Sequence, residues 1–96
     1  MEYITLPHSI YSKNEYGQIT AKIEFPEVKD GLPTKEKTGE YNLANTYVAD
    51  ENSHTTTGEE LVRLALEKIR AAGGRVVMAE CPFARKYLHE HQIADL

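Results

Sequence analysis

The chain has 96 residues, 41% of them hydrophobic and 27% charged, and its eleven Lys and Arg against fifteen Asp and Glu leave a net charge of −4. That length fits a single domain spanning residues 1–96, since domains commonly run to about 100–150 residues. No apolar run approaches the roughly 18–20 residues that cross a bilayer, so no membrane partner is expected, and an acidic balance disfavours nucleic acid, which selects a basic surplus.

Residues 1–7, Met-Glu-Tyr-Ile-Thr-Leu-Pro, lack the basic start and apolar run of a secretory signal. The chain has one cysteine, which cannot form an internal disulfide. A cytoplasmic protein is the expectation. Residues 8–25 read as a β-hairpin. Ile19, Ala21, Ile23 and Phe25 alternate with Gln18, Thr20, Lys22 and Glu24, the period of a half-buried strand. Asn14-Glu15-Tyr16-Gly17 supplies the turn, with Gly17 free to take a positive φ.

Residues 26–40 carry two prolines, two glycines and seven charged residues and read as a long polar loop. Such a loop in a small domain is either a mobile hairpin tip or a lid that contacts substrate. Residues 41–48 then read as one strand, with Tyr41, Leu43, Asn45 and Tyr47 on one face and Asn42, Ala44, Thr46 and Val48 on the other. Neither face is uniformly polar, which suits a central strand covered on both sides.

Thr57-Gly58-Glu59-Glu60 fits a capping box, with Thr57 as N-cap and Glu60 reaching back to its backbone. Leu61, Val62, Ala65, Leu66 and Ile69 follow at helical spacing, and Gly73-Gly74 ends the helix. Acidic residues open this helix and basic residues close it, matching the macrodipole. Residues 75–80 form a short apolar strand, so 41–48, 57–72 and 75–80 make a β-α-β unit whose two strands run parallel. A second helix starts near Pro82, a residue suited to the first helical position, with Phe83, Ala84, Tyr87 and Leu88 on one face. The predicted architecture is α/β, a mixed sheet of about four strands with two helices.

Two places hold candidate chemistry. Cys81 falls between the end of a parallel strand and the start of a helix, where ligands gather in open α/β sheets and a thiolate is stabilised. A free cysteine is equally often a small buried hydrophobe. The turn Ser53-His54-Thr55-Thr56-Thr57-Gly58 precedes a helix N-terminus, which offers unpaired N–H groups to phosphate; its hydroxyls serve as helix caps on the plainer reading. His89 and His91 are two apart on a helix and do not share a face. With neither a paired-cysteine nor an HExxH pattern, no metal site is expected. Lys35-Glu36-Lys37 and Arg85-Lys86 read as solvated surface.

The order strand, loop, helix, strand, cysteine, helix resembles the short, single-domain GCN5-related N-acetyltransferases. In that group a Cys follows the strand after the main helix. Pro or Ser comes next, then an aromatic, three variable residues, Tyr or another hydrophobe, an aliphatic residue and often a His. Here the stretch reads Cys81-Pro82-Phe83-Ala84-Arg85-Lys86-Tyr87-Leu88-His89-Glu90-His91. Leu61-Val62-Arg63-Leu64-Ala65-Leu66-Glu67 and Gly73-Gly74-Arg75-Val76-Val77 resemble the family's helix and strand, and Thr46-Tyr47-Val48 its Thr-x-Val. The resemblance spans about residues 41–91.

The resemblance implies acetyl-CoA as cosubstrate and an amine as acceptor. The pantetheine arm would lie along Tyr47 and Val48, and the pyrophosphate on His54, Thr55, Thr56, Thr57 and Gly58. Cys81 would sit near the thioester as an acetyl acceptor or as an acid for the departing thiolate. The chain departs from the family where this branch reads Arg-Gly-x-Gly-x-Ala. Ser53 stands at the Arg, His54 and Thr56 at the two Gly, and Gly58 at the last small residue. That departure keeps a second function open, a catalytically inactive binding or protein-interaction module of the same fold with a degraded pyrophosphate loop.

Overall fold

A computed structural model describes residues 2–50 and 54–91. In chain order the elements are β1 (Ile4–Leu6), β2 (Ser9–Lys13), β3 (Ile19–Glu24), β4 (Val28–Lys29), β5 (Leu32–Pro33), β6 (Glu40–Asn42), β7 (Asn45–Val48), α1 (His54–Ala71), β8 (Arg75–Met78) and α2 (Pro82–Glu90). The architecture is α/β, as expected: a four-stranded antiparallel sheet in the order β1-β2-β3-β7, a parallel pair β6-β8, and two helices.

The alternation in residues 18–25 fixes β3. Ala21 and Ile23 are buried, and Ile23 sits opposite Ile10 of β2. The turn between them forms as expected, with Gly17 at φ 78° and the Asn14 side-chain oxygen accepting the amides of Tyr16 and Gln18. β1 extends this hairpin by one antiparallel strand that sequence patterning does not mark.

α1 covers one face of the sheet. Leu61, Val62, Ala65, Leu66 and Ile69 pack in one cluster with Ile10, Ala21, Ile23, Phe25, Leu43 and Val76, and α2 adds Ala84 and Leu88. Each of the larger side chains in this cluster contributes on the order of 1.5–3 kcal/mol by leaving water. At the far end of α1, Gly73 takes φ 78°, and the amides of Gly73 and Gly74 bond the carbonyls of Arg70 and Ile69.

Three expectations need correction. The capping box does not form, because α1 begins at His54 and Thr57 lies inside it. Thr57 and Gly58 are both buried and extend the stripe of Leu61 and Val62 by one turn, so packing outweighs the weak helix propensity of three threonines. With that start the first turn holds no acidic residue, and Glu59 and Glu60 fall in the second.

Residues 26–40 are not simply a loop. β4 and β5 form a tight hairpin across Asp30 (φ 54°) and Gly31 (φ 78°), both in the left-handed conformation that suits the twist of paired strands. The buried Glu27 anchors the rest. Its Oε2 accepts the amides of Thr38 (2.7 Å) and Gly39 (3.0 Å), and its Oε1 accepts His8 Nε2 (3.0 Å) and Tyr41 Oη (3.4 Å). The His8 hydrogen bond, with those of Gly39 and Thr38, holds the carboxyl below its ordinary range although burial pushes it upward. Burial and the Glu27 charge raise the Tyr41 hydroxyl.

Residues 41–48 are two strands rather than one. β6 pairs in parallel with β8, β7 pairs antiparallel with β3, and Leu43 and Ala44 lie between them. The buried face changes phase across this break. Tyr41 and Leu43 are buried, whereas Asn45 and Tyr47 are exposed and Thr46 and Val48 are half-buried. β6 is covered on both faces, and β7 is not.

Candidate active site

The break at Leu43 and Ala44 shapes the site. The Leu43 amide bonds the carbonyl of Met78, and the Leu43 carbonyl accepts the amide of Cys81, both at 3.1 Å. The Ala44 amide instead bonds Glu24 on the opposite side. Beyond this point β7 keeps β3 as its neighbour, while the chain after β8 turns into α2. Two parallel segments therefore separate toward their carboxyl ends. β7 is left with an edge that no described strand pairs.

Cys81 sits at the point of separation. It is the N-cap residue of α2, in extended conformation with Pro82 directly after it. Its residue surface is 8% exposed, and Sγ lies 3.5 Å from the Thr46 hydroxyl, to which it donates. Behind it, the buried Asn42 holds Glu80 twice: Asn42 Nδ2 donates to Glu80 Oε1 at 2.7 Å, and Asn42 Oδ1 accepts the Glu80 amide at 3.1 Å. These bonds fix the backbone leading into Cys81 and hold an exposed carboxylate beside it.

The start of α1 forms the second wall. Gly58 faces α2 so closely that a Cβ there would lie 2.7 Å from the Phe83 ring. Thr55 and Thr56 remain exposed. Thr55, Glu59, Phe83, Lys86, Tyr87 and Glu90 line a groove of about 240 Å³ along the two helices. The first-turn amides of an α-helix have no partner within the helix and carry its positive dipole end.

The structure thus brings Cys81 against Thr46 of β7, with Tyr47 exposed and Val48 half-buried on that strand. Thr55 opens onto the groove, whereas Thr57 and Gly58 turn inward. Ser53 and the His54 side chain lie outside the described residues. Sequence reading gives Asn42 and Glu80 no place at the site, and takes Thr46, Phe83 and Tyr87 as motif positions without a role in it. Phe83 and Tyr87 are legible as apolar positions of α2, but their facing the start of α1 depends on tertiary packing.

The model of the GCN5-related N-acetyltransferase family matches residues 10–96. The chain belongs to that family. No curated protein matches it. As a GCN5-related N-acetyltransferase it shares its fold with a GCN5-like protein from Staphylococcus aureus solved by NMR in solution. That similarity has a TM-score of 0.69 and 22% identity, covering 95% of this chain and 80% of the other. Family membership carries acetyltransferase-type function in general.

Proposed function

We propose that this protein transfers an acetyl group from acetyl-CoA to an amine at the opening between β7 and the β8–α2 junction. The divergence of two parallel strands after Leu43, with Cys81 and Thr46 facing across it, carries the proposal. The pantetheine arm is a chain of amides and is suited to adding alongside the unpaired edge of β7 at Tyr47 and Val48. The pyrophosphate is suited to the first-turn amides of α1, with the hydroxyls of Thr55 and Thr56 as further donors. Phe83 and Tyr87 offer apolar surface in the groove beside the start of α1.

In this reaction the neutral amine attacks the thioester carbonyl, a C–N bond forms and the C–S bond breaks. The departing thiolate takes the Cys81 Sγ proton, and the proton shed by the attacking nitrogen restores the thiol. Thr46 positions Sγ for this exchange. Glu80 places negative charge beside the opening, where a cationic amine is attracted before it loses its proton. The carboxylate and the net charge of −4 both favour an acceptor of the lysine or polyamine class.

Thiol release from acetyl-CoA, measured with spermidine and with lysine as acceptors, tests this. Acceptor-dependent release that falls in Cys81→Ala supports it. CoA binding without release for any amine would instead assign the chain to the inactive binding modules.

A further inference from the structure

A second pocket lies at the opposite end of the molecule. It has a volume of about 380 Å³ and is bounded by His8, Glu27, Lys35, Lys37, Tyr41 and Lys68. Lys68 is thirteen residues beyond Thr55 on α1, which at 1.5 Å per residue separates the two regions by about 20 Å. The pocket is therefore distinct from the acetyl-transfer site.

Its charge is unbalanced. Among the described residues, Glu27 is the one carboxylate on its wall, and four donors already occupy it: His8, Tyr41 and the amides of Thr38 and Gly39. The nearby carboxylates of Glu36 and Glu40 pair with Lys29 and Arg75. Among the described residues, Lys35, Lys37 and Lys68 have no carboxylate partner. The carbonyls of Ile69 and Arg70 at the nearby end of α1 accept amide hydrogens of Gly74 and Gly73, which blunts the negative end of the helix there. Three lysines thus line one concave surface on a protein whose net charge is −4.

The rest of the wall says what the anion is attached to. The His8 and Tyr41 rings stand 6.0 Å apart and are fixed by their bonds to Glu27. Beside them, Pro7 adds apolar surface. The volume exceeds what a bare phosphate fills. We propose that this pocket binds a phosphorylated small molecule, its phosphoryl group on Lys35, Lys37 and Lys68 and its organic body against Tyr41 and Pro7.

Two-dimensional amide NMR of the whole chain, titrated with phenyl phosphate, inorganic phosphate or benzoate at constant ionic strength, tests the proposal. Phenyl phosphate should bind saturably with a Kd of about 1 mM or tighter, ahead of the other two. The signals of Thr38, Gly39 and Ala72 should move while those of Thr46 and Cys81 stay. Replacing three exposed side chains, in Lys35→Gln/Lys37→Gln/Lys68→Gln, should leave the spectrum otherwise intact and weaken binding about tenfold or more. No saturable movement up to about 10 mM, unchanged affinity in the triple variant, or movement at Thr55 instead would overturn it. Inorganic phosphate binding as tightly as phenyl phosphate would overturn the assignment of an organic body.

Discussion

Cys81 Sγ and Thr46 Oγ1 lie 3.5 Å apart across the point where the parallel pair β6-β8 comes to an end. One residue ends a strand–helix junction and the other sits on a strand paired to a different neighbour. Their contact therefore ties β7 to the β8–α2 junction just where the parallel pairing stops.

Cys81→Ala should lower acetyl transfer by about 100-fold if the thiol supplies the leaving-group proton, the range for a positioned acid. Stability should fall by only about 1–2 kcal/mol, since one small buried atom is lost. Thr46→Val, which keeps the shape and removes the acceptor, should reduce turnover less and leave acetyl-CoA affinity unchanged. Mass spectrometry of the protein stopped during turnover tests the acid role separately, because an acetylated Cys81 would make the residue a nucleophile.

Gly58→Ala should be costly. The added methyl would meet the Phe83 ring at 2.7 Å, so α1 and α2 must separate or the ring must turn. A loss of about 1–3 kcal/mol is expected, seen as a fall in Tm of roughly 4–8 °C per kcal/mol for a domain of this size. The double variant with Phe83→Ala should lose less than the sum of the two single losses, because both act on one contact.

Glu27 gives the fold an acid dependence whose sign is fixed. Its carboxyl lies below the ordinary value of 4.5 when folded. The unfolded chain therefore binds a proton first as pH falls. The stabilisation is complete above roughly pH 5 and is lost as pH drops through 4.5 toward the lowered value. Glu27→Gln should cost about 1–3 kcal/mol at neutral pH and flatten the acid limb of a Tm–pH profile. An acid limb unchanged by the substitution would contradict this.

The Asp30-Gly31 turn is testable on its own. Gly31→Ala places a side chain at φ 78°, which should cost on the order of 1 kcal/mol by denaturant unfolding. Acetyl transfer should be unaffected, since this hairpin stands apart from Cys81 and Thr46.

The elements built on regular periodicity were legible from residue order. Ile19–Glu24 alternates, Leu61 to Ile69 repeats at helical spacing, and Pro82 marks the start of α2. Two features of the site were hidden. Leu43, Ala44 and Asn45 include no Gly or Pro, and the break there arises because Leu43 and Ala44 bond neighbours on opposite sides. The start of α1 was misplaced because Thr57-x-x-Glu60 mimics a cap, whereas Gly58 packing on Phe83, 25 positions later, carries the helix back to His54. The β4-β5 hairpin had a local signal in Asp30-Gly31 that the surrounding charge and prolines obscured. Glu27 gave none, because its partners come from residues 8, 38, 39 and 41.

The central claim is that acetyl-CoA lies in the opening between β7 and the β8–α2 junction. Amide NMR of the whole chain titrated with CoA tests it most directly. Saturable movement of the Thr46, Tyr47, Val48, Cys81 and Thr55 signals is predicted, with a thermal stabilisation of about 2.7 kcal/mol at a hundred times Kd. No movement of these signals at millimolar CoA, or movement confined to the lysine pocket around Lys68, would contradict it.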